Sequence, residues 1–154
     1  MTPQQMADVR RTWALVAPIA DEAAVLFYDR LFTIDPPTRD LFRRTDMAAQ
    51  RATLMGTLAL VVKGLDELDR LMPAVEGLGR RHAGYGVIGA HYVSVGAALL
   101  WTLEQGLGTE FTPAVREAWT TAYLTLADVM QDAAARLDQA DDTTNELASQ
   151  ASAA

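Results

Sequence analysis

The stretch Leu78-Gly79-Arg80-Arg81-His82-Ala83-Gly84-Tyr85-Gly86-Val87 places an imidazole near the end of a predicted helix that glycines close. At helical spacing Leu71, Val75 and Leu78 share the face of His82, while Arg80 and Arg81 fall elsewhere, so His82 faces inward. An inward histidine has two readings. It is a core side chain bonded to a backbone carbonyl, or it is a neutral nitrogen ligand for a metal such as iron. The segment alone leaves both open.

Working outward, every other segment reads as helix. Thr2-Pro3-Gln4-Gln5 has a threonine cap, a proline in the first turn and a glutamine three residues past the cap, opening a helix that runs to about Ala17. Between Ile19 and Ile34 the apolar positions Ala23, Leu26, Phe27, Leu31 and Ile34 recur at three and four and stop at Asp35-Pro36-Pro37. A short helical turn leads to Leu41-Phe42, and Asp46 caps a helix from Met47 to about Gly64 with Leu54, Leu58, Val61 and Val62 inside. The polar connection Leu65 to Met72 then leads to a helix beginning at Pro73 that carries His82. A long helix from about Gly89 to Gln105 has the stripe Tyr92, Val95, Leu99 and Leu103. Thr112-Pro113 opens the last helix, where Val115, Trp119, Ala122, Leu126, Val129 and Ala133 form the seam. No stretch alternates at period two, so the fold class is all-α. Residues 1–137 form one domain, and 138–154, small and polar, are expected to be a flexible tail.

Composition removes several function classes. A chain of 154 residues suits a single core. The net charge of −7 argues against nucleic-acid binding, which needs a basic surface. With no cysteine there is no disulfide, iron–sulfur cluster, thiolate-ligated haem or haem attached through Cys-x-x-Cys-His. The start, Met1 to Trp13, carries Arg10 and Arg11 and lacks the apolar core of a secretory leader, so a cytoplasmic location is expected. The nearly apolar runs Leu54 to Val62 and Val93 to Leu103 fall well short of the roughly 20 residues that span a bilayer, and no membrane partner is expected. Phosphate-loop, Gly-x-Ser-x-Gly and His-Glu-x-x-His motifs are absent. Only His82 and His91 are present, which excludes a multi-histidine cage, and no Glu-x-x-His pair serves a di-iron site. A cofactor held by one histidine remains. His91, at a helix start, reads as a surface or interface residue.

Residues far apart in sequence complete the pattern. Phe27-Tyr28 sits mid-helix, Phe42 follows Pro36 by six positions, Gln50 precedes Leu54 by one turn, and His82 is followed by Val87 and Tyr92. This ordered set resembles a globin. More narrowly, Leu78-Gly79-Arg80-Arg81-His82, Tyr85-Gly86-Val87, His91-Tyr92, Leu107-Gly108, Ala118-Trp119 and Tyr123 resemble the single-domain bacterial haemoglobins and the haem domain of flavohaemoglobins. Leu103-Glu104-Gln105-Gly106-Leu107-Gly108 with Phe111-Thr112-Pro113 is also similar to neuroglobin. The resemblance spans about Gln5 to Ala135.

The resemblance implies a globin fold of about seven to eight helices around one non-covalent haem b, with His82 as the proximal iron ligand. It implies that Phe42 packs on the haem, that Gln50 holds the distal gating position with Leu54 one turn on, and that Tyr28 enters the distal pocket. Val87 is implied as a proximal contact and Tyr92 as part of the haem surroundings, while Arg81 either meets a haem propionate or stays solvated. Tyrosine and glutamine donors aimed at a ligand that gains negative charge should hold O2 strongly. Relatives often pair the tyrosine matching Tyr92 with a glutamate in the last helix. Here Ala134 falls at that position and Asp132 is the nearest acid, so a peroxidase-like push on iron is not expected. The leading expectation is reversible binding of O2, with carbon monoxide and nitric oxide as further ligands, for oxygen binding or transport. The alternatives are nitric oxide dioxygenation with a separate reductase, and a haem-based gas sensor or interaction module.

Overall fold

The computed structural model describes residues 1–153, and among them every regular element is helical. The order is α1 (Pro3–Val16), α2 (Ala20–Ile34), α3 (Met47–Lys63), α4 (Leu68–Gly84), α5 (Gly89–Leu107) and α6 (Pro113–Ala153). Tight 3-10 turns cover Ala17–Ile19, Pro36–Phe42, Leu65–Glu67 and Gly108–Glu110. Six α-helices are fewer than the seven to eight expected. One reason is local: Pro36 and Pro37 supply no N–H, and the segment they open winds as a 3-10 turn rather than an α-helix.

Side chains set the helix ends as the sequence suggested. Thr2 Oγ1 accepts from Gln5 N at 3.1 Å while Gln5 Oε1 accepts from Thr2 N at 2.9 Å, a reciprocal capping box on α1. Asp46 accepts from Ala48 N and Ala49 N at the start of α3, and Thr112 from Val115 N at the start of α6. The helix bearing His82 departs from expectation. It begins at Leu68, directly after the 3-10 turn, and Pro73 lies inside it, losing one backbone donor without ending the helix.

Three helix pairs build the body: α4 lies on α6, α2 on α5, and α1 on α6. The core joins Val9, Phe27, Leu31, Leu99, Leu103, Val115 and Trp119. Trp119 Nε1 donates to Thr12 Oγ1 at 2.9 Å, and Thr12 Oγ1 donates to Asp8 O at 2.7 Å, so the buried indole N–H is satisfied. Arg10 donates to the Val62 and Lys63 carbonyls at 3.3 Å each, tying the C-terminal end of α3 to α1. The buried stripe of α2 is Ala23, Ala24, Phe27, Tyr28 and Leu31. It turns toward Ala24 and Tyr28, which leaves Leu26 exposed, and Ile34, the last helical residue, is exposed too. Residues 138–151, expected to be a tail, continue α6 as helix and are exposed at every position. Among the described residues no single helix is long and apolar enough to cross a membrane.

Glycines fix two crossings. A Cβ at Gly79 would stand 2.6 Å from Met130 Cα, so α4 meets the backbone of α6 where only glycine fits. A Cβ at Gly96 would stand 2.6 Å from Tyr123 Cε1, and α5 therefore lies against that ring. Gly79 is one turn before His82, so the first crossing also sets the height of the imidazole in the fold.

Candidate functional site

The buried stripe of α2 delivers Tyr28 to the interior at 5% exposure. Its phenol oxygen accepts a 3.0 Å hydrogen bond from Gln50 Nε2, on the first turn of α3. Phe27 meets the ring edge-on at 4.9 Å and Phe42 at 5.5 Å, and Phe32 lies 6.1 Å away. Burial pushes the phenol pKa up, and the Gln50 bond and the Arg51 charge pull only partly against it. The hydroxyl therefore keeps its proton. Its oxygen is used as an acceptor by Gln50 and its own O–H has no acceptor among the described residues, so the group is a donor held in an apolar, aromatic setting. Gln50 is half-buried and bonded rather than solvated. Leu54, one turn along α3, packs half-buried against the core that contains Tyr28.

His82 stands in the last turn of α4, half-buried. Its Nδ1 lies 2.9 Å from Leu78 O. Only a protonated Nδ1 makes that bond, which leaves Nε2 as the nitrogen with a lone pair. Burial lowers the pKa of the ring, as does the charge of Arg81, against the opposing Leu78 bond. The imidazole is thus neutral at pH 7, with Nδ1 anchored and Nε2 without a hydrogen-bond partner among the described residues. Both readings of the inward histidine meet here, because the carbonyl bond of a core histidine is also what orients a ligating one.

The other predicted residues fall around His82. Gly86 takes φ +91°, a left-handed conformation open to glycine, and turns the chain sharply after α4. Val87, half-buried, donates its N–H to His82 O at 3.0 Å. Leu41, beside Phe42, reaches this corner: a Cβ on Gly86 would stand 3.8 Å from Leu41 Cδ2. Tyr92 is half-buried with its phenol pKa raised by burial, and its carbonyl accepts from the Tyr123 hydroxyl. Arg81 is exposed and folds back along α4, its Nη1 3.4 Å from where a Gly77 Cβ would be. Tyr28, Gln50, Phe42 and Leu54 therefore form one set on α2, α3 and the turn between them. His82, Val87, Tyr92 and Arg81 form a second on α4, α5 and the corner between them. Sequence reading missed Leu78 O as the anchor of the ring and Gly79 as the crossing point. The signal for the latter was the pair of glycines Gly77 and Gly79 inside a helical pattern.

A family model described as Globin matches residues 25–130, and the chain belongs to the globin family. It is 31% identical over 134 residues to a flavohemoprotein of Vibrio cholerae, covering 86% of this chain and 34% of that protein. It is 33% identical over 104 residues to a flavohemoprotein of Bacillus subtilis, covering 66% of this chain and 26% of that one. The chain thus spans about a quarter to a third of the length of these relatives.

Proposed function

We propose that residues 1–137 are a haem b domain that binds O2, with His82 as the iron ligand and Tyr28 and Gln50 as donors on the ligand side. The carrying observation is the donor set: a neutral imidazole with Nδ1 anchored and Nε2 offered, and elsewhere a buried phenol oriented by an amide. The apolar surfaces also fit. Val62 is the buried apolar side chain of α3 and Val75 that of α4, while Leu54, Met55, Leu58, Leu71 and Leu78 are only partly covered by protein. A flat apolar group fitting between these helices would complete that burial.

When bound, haem would supply an iron able to take up O2, carbon monoxide or nitric oxide. The chain's own residues do the rest. His82 supplies the nitrogen and Leu78 O fixes its ring. Phe42, Leu54, Val87 and Tyr92 would supply the apolar surroundings of the haem. Tyr28 donates its proton to a polar diatomic ligand, and Gln50 keeps the phenol turned to do so. Arg81, which is exposed, would be a donor available to a propionate.

A second reading is nitric oxide dioxygenation, in which nitric oxide, O2 and one electron give nitrate. The likeness to two flavohemoproteins favours it, since their name joins a flavin to haem. The described residues account for the haem part of that reaction, and a reductase would supply the electron. The absorption spectrum of the purified protein, with and without dithionite and carbon monoxide, tests the proposal. A ferrous Soret band that moves on adding carbon monoxide supports it, and a protein that takes up no haem refutes it.

A further inference from the structure

The corner between α4 and α5 contains Gly84, Gly86 and Gly89 within six residues, so little in its backbone chemistry holds its shape. Hydrogen bonds do. On the α4 side Tyr85 N donates to Arg81 O and His82 O, Gly86 N to Ala83 O, and Val87 N to His82 O. On the α5 side the cap position is Ile88, extended at φ −117°, ψ 170°, whose side chain has no acceptor to offer the first turn. The cap residue's own N–H is held instead: His91 Nδ1 accepts from Ile88 N at 3.0 Å, and His91 N donates to Ile88 O at 3.0 Å. Gln5 makes the same bond to the cap N–H of α1, at 2.9 Å. His91 therefore plays the part that glutamine plays three residues past a cap. Val87, the residue before the one His91 clamps, is bonded to the His82 carbonyl.

We infer that His91 is a positioning residue for His82, fixing the corner through the Ile88 amide and with it the end of α4. This rests on the proposal that His82 is the haem ligand. The histidine that sequence reading left at the surface then acts on the site without touching the cofactor.

The test compares His91→Ala, His91→Gln and Gln5→Ala in the full chain. Three measurements are made: hydrogen exchange of the Ile88 amide in the haem-free protein, the rate of haem loss to an excess of a haem-scavenging globin, and the ferrous iron–histidine stretching frequency. Loss of a cap of ordinary strength corresponds to about fivefold. In His91→Ala the Ile88 amide exchanges about fivefold faster, haem leaves several-fold faster, and the stretching frequency shifts. His91→Gln restores all three toward wild type. Gln5→Ala removes an equivalent cap far from His82 and leaves haem loss and the frequency unchanged. Wild-type behaviour in His91→Ala, no restoration in His91→Gln, or equal effects in Gln5→Ala would overturn the inference. A wild-type chain that binds no haem refutes the proposed function, and the amide exchange then decides by itself whether His91 holds the corner.

Discussion

Replacing Tyr28 by Phe removes one oxygen from the interior and changes little else. The ring sits at 5% exposure among Phe27, Phe32 and Phe42, all of which a phenyl group still contacts, so packing is nearly conserved. Two hydrogen-bonding roles are lost. As an acceptor, Tyr28 holds Gln50 Nε2 at 3.0 Å, a half-buried bond worth about 0.5–1.5 kcal/mol of stability. As a donor, on the proposed function, the desolvated O–H would bond to bound O2, which carries partial negative charge, a bond worth roughly 1.5–3 kcal/mol, or about 10- to 150-fold in affinity. The loss falls on O2, because carbon monoxide is less polar. Stopped-flow release of O2 from Tyr28→Phe should therefore be faster by a factor in that range, with carbon monoxide rates little changed and autoxidation faster. Equal O2 release from both proteins would show that the phenol does not reach the ligand.

Gly79→Ala forces a Cβ into the α6 backbone at Met130 and should cost about 1–3 kcal/mol, read as a lower urea midpoint with weaker haem retention. Gln50→Leu should leave the deoxy ferrous protein five-coordinate, since an amide is a poor iron ligand and His91 is engaged at the start of α5; a sharp six-coordinate spectrum in wild type that survives both Gln50→Leu and His91→Ala would contradict this. Burial raises the pKa of Tyr28, Tyr92 and Tyr123, so the unfolded chain loses these protons at lower pH than the folded one. Their contribution is complete below the ordinary tyrosine pKa of about 10 and is lost as pH rises toward the folded values. The urea midpoint should thus fall above pH 10, and fall less steeply in Tyr28→Phe; identical slopes would disprove the Tyr28 part.

The helices were legible because their ends carry local chemistry. Thr2, Asp46 and Thr112 announce caps by residue type, and all three make the bonds that type predicts. The start of α4 was not, because no side chain caps it, Asp66 being bonded to Arg10 instead, and Pro73 imitates a first-turn proline. Leu26 and Ile34 misled because a three-and-four repeat fixes a stripe only to within one residue position. The pairing of Tyr28 with Gln50 came from family likeness and not from spacing, since 22 residues separate them. The cap made by His91 lay beyond composition altogether: histidine is an uncommon choice for that task, and the glycines around it hide the helix start.

Ligation by His82 has one direct test. Haem-reconstituted His82→Gly is reduced and its spectrum recorded with and without added imidazole, beside wild type. Wild type should show a five-coordinate histidine-ligated ferrous band, His82→Gly should lose it and most of its haem, and imidazole should restore the band. A wild-type spectrum in His82→Gly without imidazole would contradict ligation by His82.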